Sequence, residues 1–171
     1  AQAMLAEKLK AYILMNVDFD KDISNPAAAF AAFDNADTVI SLSTHASAST
    51  KAIANVILPI AAWGETSGTY VNTEGFWQVF KGALPAKGEA RPAWKVLRVL
   101  ANELGLSGFN FLSSEQVRDE LKSQCRGLEL SNEIAAAQVI VVAQPSLKRI
   151  GETPIYAIDS MTRQSASLQA T

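Results

Sequence analysis

Between Gly64 and Gly75 the chain reads GETSGTYVNTEG, a stretch that concentrates glycine, hydroxyl, amide and carboxylate groups. Glycine permits tight backbone turns, so Glu65, Thr69, Asn72 and Glu74 could all face one crevice and line it for a polar cofactor. The same residues have a plainer use. Asn72 and Glu74 can hydrogen-bond main-chain groups and hold a long loop in shape, and chemistry alone favours that use. Gly64, Gly68 and Gly75 are spaced too irregularly for a phosphate cradle and open no helix, and the chain has neither a GxGxxG motif nor a P-loop.

Three other features carry titratable or ligating groups. His45, the one histidine, follows the end of an expected strand in STHAS, where α/β folds place functional groups. No Ser–His–Asp or metal-ligand spacing surrounds it, so a structural or merely exposed histidine is the favoured reading. Cys125 is the one cysteine and sits on the apolar line of an expected helix, where a lone thiol acts as a small hydrophobe. A cluster or metal site needs further Cys or His ligands, so this segment binds no iron–sulfur cluster or metal by itself. Asp18, Asp20 and Asp22 alternate faintly like a calcium loop, but the glycine and distal glutamate of an EF-hand are missing. Solvated loop carboxylates are expected there.

The elements that must position these groups show in the apolar rhythm. AYILMNV is a strand. Asn25-Pro26 is a cap followed by a first-turn proline, so AAAFAAF is a short helix. DNADTVISLS returns to a strand, and SASTKAIANVILP is a helix leading into a buried strand that stops at Pro59. Strands alternating with short helices predict a parallel, doubly wound sheet. Extended pieces are expected at Thr69–Asn72 and Phe76–Phe80. Pro92 opens a helix with Trp94, Leu97, Leu100, Ala101 and Leu104 on one face and Gly105 as its terminator. Ser113 and Gln116 have capping-box spacing, and Val117, Leu121 and Cys125 form the apolar line of a helix ended by Gly127. QVIVVAQ and PIYAI read as two more strands, and DSMTRQSASLQAT as a small polar tail that frays unless a partner holds it.

Composition sets outer limits. At 171 residues with 49% apolar and 19% charged side chains, the chain can bury a real core. A net charge of −2, with Lys and Arg scattered, argues against nucleic-acid binding. The apolar runs Val56–Ile60 and Val139–Ala143 are too short to span a bilayer, so no direct membrane insertion is expected. No signal peptide is visible, and the opening AQAMLAEKLK, already helical in rhythm and without an initiator Met, reads as cut from a longer chain.

Three ordered segments carry a resemblance: Ala54-Asn55-Val56-Ile57-Leu58-Pro59; then Glu65, Gly68, Thr69, Asn72, Glu74, Gly75 and Gln78; then Pro85, Gly88, Glu89, Ala90, Arg91 and Trp94. Together they resemble the molybdopterin oxidoreductase superfamily, whose members share ADVVLP, E-x-x-G-T-x-x-N-x-E-G-R-x-Q and P-x-G-E-A-R-x-x-W. Asn55 stands for the usual Asp and Phe76 for the usual Arg. Loss of that Arg suits a branch that kept the fold and lost the anionic pterin. The large iron–sulfur subunits of bacterial NADH:quinone oxidoreductase, respiratory complex I, are such a branch, and the closing GETPIYAIDSMTRQSASLQAT is similar to their ending.

The resemblance implies a three-layer α/β fold, mainly parallel and doubly wound, over residues 1–106, with a small α+β extension and polar tail over 107–171. It implies a C-terminal, non-catalytic scaffold with no cofactor in this segment. The family loop Glu65, Thr69, Asn72, Glu74 and Gln78 would be vestigial, and iron–sulfur clusters would lie elsewhere in the parent subunit. Implied partners are the preceding part of the same subunit and other peripheral-arm subunits, on the cytoplasmic side of the bacterial inner membrane. Two alternatives stay open: the C-terminal fragment of a catalytic molybdopterin oxidoreductase of formate dehydrogenase type, and a free-standing α/β binding module.

Overall fold

The computed structural model describes residues 9–128, 131 and 151–170, and divides the chain into two compact units, Ala1–Cys125 and Arg126–Thr171. The first is mixed α/β. Strands β1 (Ala11–Met15), β2 (Thr38–Ser43) and β3 (Val56–Pro59) form a parallel sheet in the order β1-β2-β3. The connections are helical: α1 (Phe19–Asp22) and α2 (Pro26–Asp34) join β1 to β2, and α3 (Ala48–Ile53) joins β2 to β3. The α2 cap is the expected one, with Asn25 Oδ1 accepting from the Ala28 N–H at 3.0 Å and Pro26 at the first helical position. Ser47 does the same for α3, its hydroxyl accepting from the Thr50 N–H at 3.1 Å.

Register decides which face is buried. Tyr12 lies opposite Val39 and Leu14 opposite Ser41, so these four side chains share one face. Phe19 of α1 and Ala29, Ala32 and Phe33 of α2 cluster with Tyr12, Leu14 and Val39. Phe33 meets Tyr12 and Phe19 edge to face, at centroid distances of 5.2 and 5.5 Å. Burying each such ring stabilises the fold by about 1.5–3 kcal/mol. The other face of β1 is open, with Ile13 and Met15 each 53% exposed.

Several expectations change at this level. β3 is not a buried strand: it ends the row of described strands and Val56 is 44% exposed. The three described strands run in sequence order, so the reversal that makes a sheet doubly wound is not among them. Asp18 is not a solvated carboxylate; it is buried at the N-cap of α1, where its N–H donates to Asp22 Oδ2 at 2.8 Å.

After β3 the chain stays beside the sheet for two residues. Ile60 bridges in parallel to Arg91, and the Ala61 N–H donates to the Arg91 carbonyl at 2.9 Å. Between these points lie a 3-10 turn (Trp63–Glu65) and the antiparallel pair β4 (Gly68–Val71) and β5 (Trp77–Phe80). Helix α4 (Ala93–Glu103) follows. Gly105 ends it at φ +70°, its N–H donating to the Asn102 carbonyl while Leu106 N–H reaches Ala101, the paired bonds of a Schellman stop. Leu104, expected on the apolar face of α4, lies in that stop and is exposed.

Helix α5 (Ser114–Gln124) is capped by Ser113, which accepts from the Gln116 N–H. The Gln116 side chain reaches back to the Leu112 N–H at 2.6 Å, one residue beyond its usual capping-box partner. The Ser114 hydroxyl meets that of Ser67 at 2.8 Å, so α5 rests beside β4 and the expected boundary after Leu106 falls inside this unit.

In the second unit the expected strand PIYAI is a single helical turn, α6 (Ile155–Ile158), followed by a 3-10 turn (Thr162–Gln164) and α7 (Ala166–Gln169). The reason is local bonding. Thr162 Oγ1 and Gln169 Nε2 both donate to the Tyr156 carbonyl at 3.0 Å, and Asp159 Oδ1 accepts from the N–H groups of Met161 and Thr162. Residues of the expected polar tail thus bond back to α6. The expected strand QVIVVAQ lies outside the described residues, and among those described from 107 onward the elements are helical.

Candidate functional site: the 62–91 ribbon

Glu65 ends the 3-10 turn, and its Oε2 accepts from the Ala62 N–H at 3.1 Å, closing the turn on itself. Gly82 then brings the returning chain against this turn. A Cβ there would stand 3.0 Å from Glu65 C and 3.1 Å from Thr66 N, so any larger residue would force this backbone to give by a few tenths of an ångström. Ala83 and Leu84 seal it by donating their N–H groups to the Gly64 carbonyl.

Thr69 lies opposite Val79 and Tyr70 opposite Gln78. Alternation therefore puts Thr69, Val71, Trp77 and Val79 on one face of the ribbon and Gly68, Tyr70, Gln78 and Phe80 on the other. The Phe80 ring covers Gly68, leaving 2.7 Å to a hypothetical Cβ, and stacks on Tyr70 at 5.1 Å between centroids. On the opposite face Lys122 of α5 lies 5.9 Å from the centroid of the Trp77 ring.

Asn72 organises the turn between the strands. Its Oδ1 accepts from the N–H of Phe76 at 2.8 Å and of Glu74 at 3.1 Å, while its main-chain N–H donates to the Phe76 carbonyl. Its Nδ2 contacts Glu74 Oε2 at 3.4 Å. Gly75 supplies the positive φ, +83°, that lets the turn close. The structure thus brings Asn72 and Glu74 together, places Thr69 and Gln78 on opposite faces, and leaves Glu65 at the base of the ribbon. Both carboxylate–amide and main-chain bonding are internal to the loop, the chemistry of a shape-holding turn.

The remaining candidates are dispersed. His45 is exposed, with Nδ1 3.1 Å from the Thr44 hydroxyl, and Thr44 also donates to Asn16 Oδ1. Cys125 is a half-buried free thiol. Asp20 accepts from the Ser49 hydroxyl at 2.7 Å, tying α1 to α3. Among the described residues no three His, Cys, Asp or Glu side chains gather to hold a metal ion, and no helix is long and apolar enough to cross a membrane.

Sequence reasoning missed what Asn55 does. Its side-chain carbonyl accepts from the Val39 N–H at 2.6 Å and its N–H donates to the Val39 carbonyl at 2.9 Å. The amide extends the β2–β3 pairing by one position, and only its place ahead of VILP hinted at that. Arg91 was similarly underread: its main chain closes the ribbon, while its guanidinium donates to the carbonyls of Gly88 and Ala90.

A family model of molybdopterin oxidoreductases matches residues 1–103, so the chain belongs to the molybdopterin oxidoreductase family. The chain is also similar to two mitochondrial proteins. It is 33% identical over 120 residues to NADH dehydrogenase [ubiquinone] iron-sulfur protein 1 of Solanum tuberosum, covering 66% of this chain and 16% of that protein. It is 34% identical over 103 residues to the 78 kDa subunit of NADH-ubiquinone oxidoreductase of Neurospora crassa, covering 60% and 13%. It is also 40% identical over 73 residues to the alpha subunit of F420-dependent formate dehydrogenase 1 of Methanococcus maripaludis, covering 42% and 11%. The chain spans less than a fifth of the length of these relatives.

Proposed function

We propose that this chain is the C-terminal part of the large iron–sulfur subunit of a bacterial NADH:quinone oxidoreductase, where it acts as a scaffold without catalytic residues of its own. The observation that carries the reading is the internal bonding of the family loop. Asn72 spends its acceptor on the main chain of Glu74 and Phe76, and an exposed Phe76 stands where the family pattern has Arg. These residues do not fit an anionic pterin: a phosphate-bearing ligand needs cations and free donors, and Glu65, Thr69, Asn72, Glu74 and Gln78 supply no positive charge. In this reading the iron–sulfur clusters sit elsewhere in the parent subunit, and the preceding chain supplies further strands beside β1 to complete a three-layer, doubly wound sheet. The partners are the rest of that subunit and other peripheral-arm subunits, on the cytoplasmic side of the inner membrane.

Titration of the chain with a pterin guanine dinucleotide, followed by calorimetry, tests this. No saturable heat is expected; saturable binding weakened by Asn72→Ala overturns the scaffold. A second reading, a fragment of a catalytic molybdopterin enzyme, is favoured by the 40% identity to a formate dehydrogenase alpha subunit. The reading frame upstream of Ala1 separates the two. A Cys or selenocysteine metal ligand supports the second, and cluster-binding cysteines without one support the first.

A further inference from the structure

Beside the edge of the parallel sheet, Leu58 of β3 and Val96, Val99 and Leu100 of α4 enclose a groove of about 490 Å³ with an almost wholly apolar floor. Its rim is charged and unbalanced. Arg91, Lys95 and Arg98 stand around it against a single carboxylate, Glu103, in a chain whose net charge is −2. The Arg91 guanidinium donates to the carbonyls of Gly88 and Ala90 and lies 3.7 Å from Glu89 Oε2, which leaves Lys95 and Arg98 as the other cations lining the groove. Lys95 is exposed, with Nζ 5.4 Å from the Trp94 ring. Arg98 is anchored by one bond, Nη1 to the Phe111 carbonyl at 2.7 Å, while its Nε is buried with no hydrogen-bond partner among the described residues. An apolar trough rimmed by Lys95 and an anchored guanidinium, with one carboxylate among its lining residues, is complementary to one chemistry, an aliphatic tail with an anionic head.

Size argues for a small ligand. Residues 95–103 of α4 extend about 12 Å, and 490 Å³ falls within the range of about 300–1,000 Å³ typical of small-molecule clefts. A stable protein interface buries on the order of 1,600 Å², more than this trough offers. We propose that the groove binds a medium-chain aliphatic carboxylate, its tail along Leu58, Val96, Val99 and Leu100 and its head between Lys95 and Arg98. The proposal is independent of the scaffold reading above.

The test uses the full 171-residue chain and three probes: decanoate, decanol with the same tail and no charge, and acetate with the head alone. Amide shifts in nitrogen-edited NMR should saturate with decanoate and map to residues 95–103. Decanol should bind at least about tenfold more weakly and acetate not measurably. Lys95→Glu and Val99→Asp, both at accessible positions and checked for folding by circular dichroism, should each weaken decanoate by about tenfold or more. Equal binding of decanoate and decanol, shifts that map elsewhere, or indifference to Lys95→Glu would overturn it. So would concentration-dependent self-association in sedimentation that vanishes with Val99→Asp, because a second copy would then be the occupant.

Discussion

The parallel sheet and the β4–β5 ribbon lie in the same unit but are held by different forces. The sheet is organised by burial: Phe33 is 2% exposed, Val39 1% and Leu42 0%, and rings meet edge to face across the β1–helix interface. In the ribbon most of the large side chains are accessible, including Trp63, Tyr70, Phe76 and Val79. What fixes it is directional: one asparagine, one glycine contact and a stacked ring pair. Area-driven structure tolerates loss of a hydrogen bond and suffers from loss of volume. Geometry-driven structure behaves the other way.

That contrast can be broken by experiment. Phe33→Ala removes a ring from the sheet core and should cost about 3–5 kcal/mol, read as a lower urea midpoint. A cost near zero would mean the sheet is not organised by this cluster. Gly82→Ala pushes a Cβ into the Glu65–Thr66 backbone and should cost about 1–3 kcal/mol, with faster amide exchange confined to the ribbon. Equal loss of protection in β1 and β2 would show the two regions unfold as one. Asn72→Ala leaves two exposed N–H groups to water and should cost only about 1 kcal/mol, with exchange at Glu74 and Phe76 accelerated most.

The smallest effect concerns α5. Glu115, in its first turn, has its pKa held below the usual glutamate value, chiefly by its own main-chain N–H and then by the Ser113 hydroxyl. A lowered folded-state pKa means the contribution is present above the ordinary glutamate range and is lost as pH falls through the folded value. Helical signal from α5 should therefore decline on acidification below that range, and Glu115→Gln should flatten the decline. An unchanged profile in Glu115→Gln would remove this residue from the account.

How much of this was legible in the chain follows the same division. The caps at Asn25 and Ser113, the stop at Gly105 and the strand–helix alternation of residues 11–59 were readable, because cap chemistry and apolar periodicity act over a few neighbouring residues. The turn of α6 was not. Ile155, Tyr156 and Ile158 have strong strand preference, and what overrides it is a pair of donors, Thr162 and Gln169, six and thirteen residues past Tyr156. The exposure of β3 was also hidden, since an apolar run does not state which neighbour will cover it. At the loop, residue types alone allowed both a lined crevice and a self-bonded turn. Only the register separating Thr69 from Gln78 shows that the five residues do not share one face.

The bond from Ala61 to Arg91 has a meaning for descent as well as for stability. The chain leaves the sheet edge and comes back to it at adjacent points, so residues 62–90 form a detachable insert whose ends are already joined. A lineage can vary positions such as Phe76 inside that insert while the frame that bears the loop goes on being inherited.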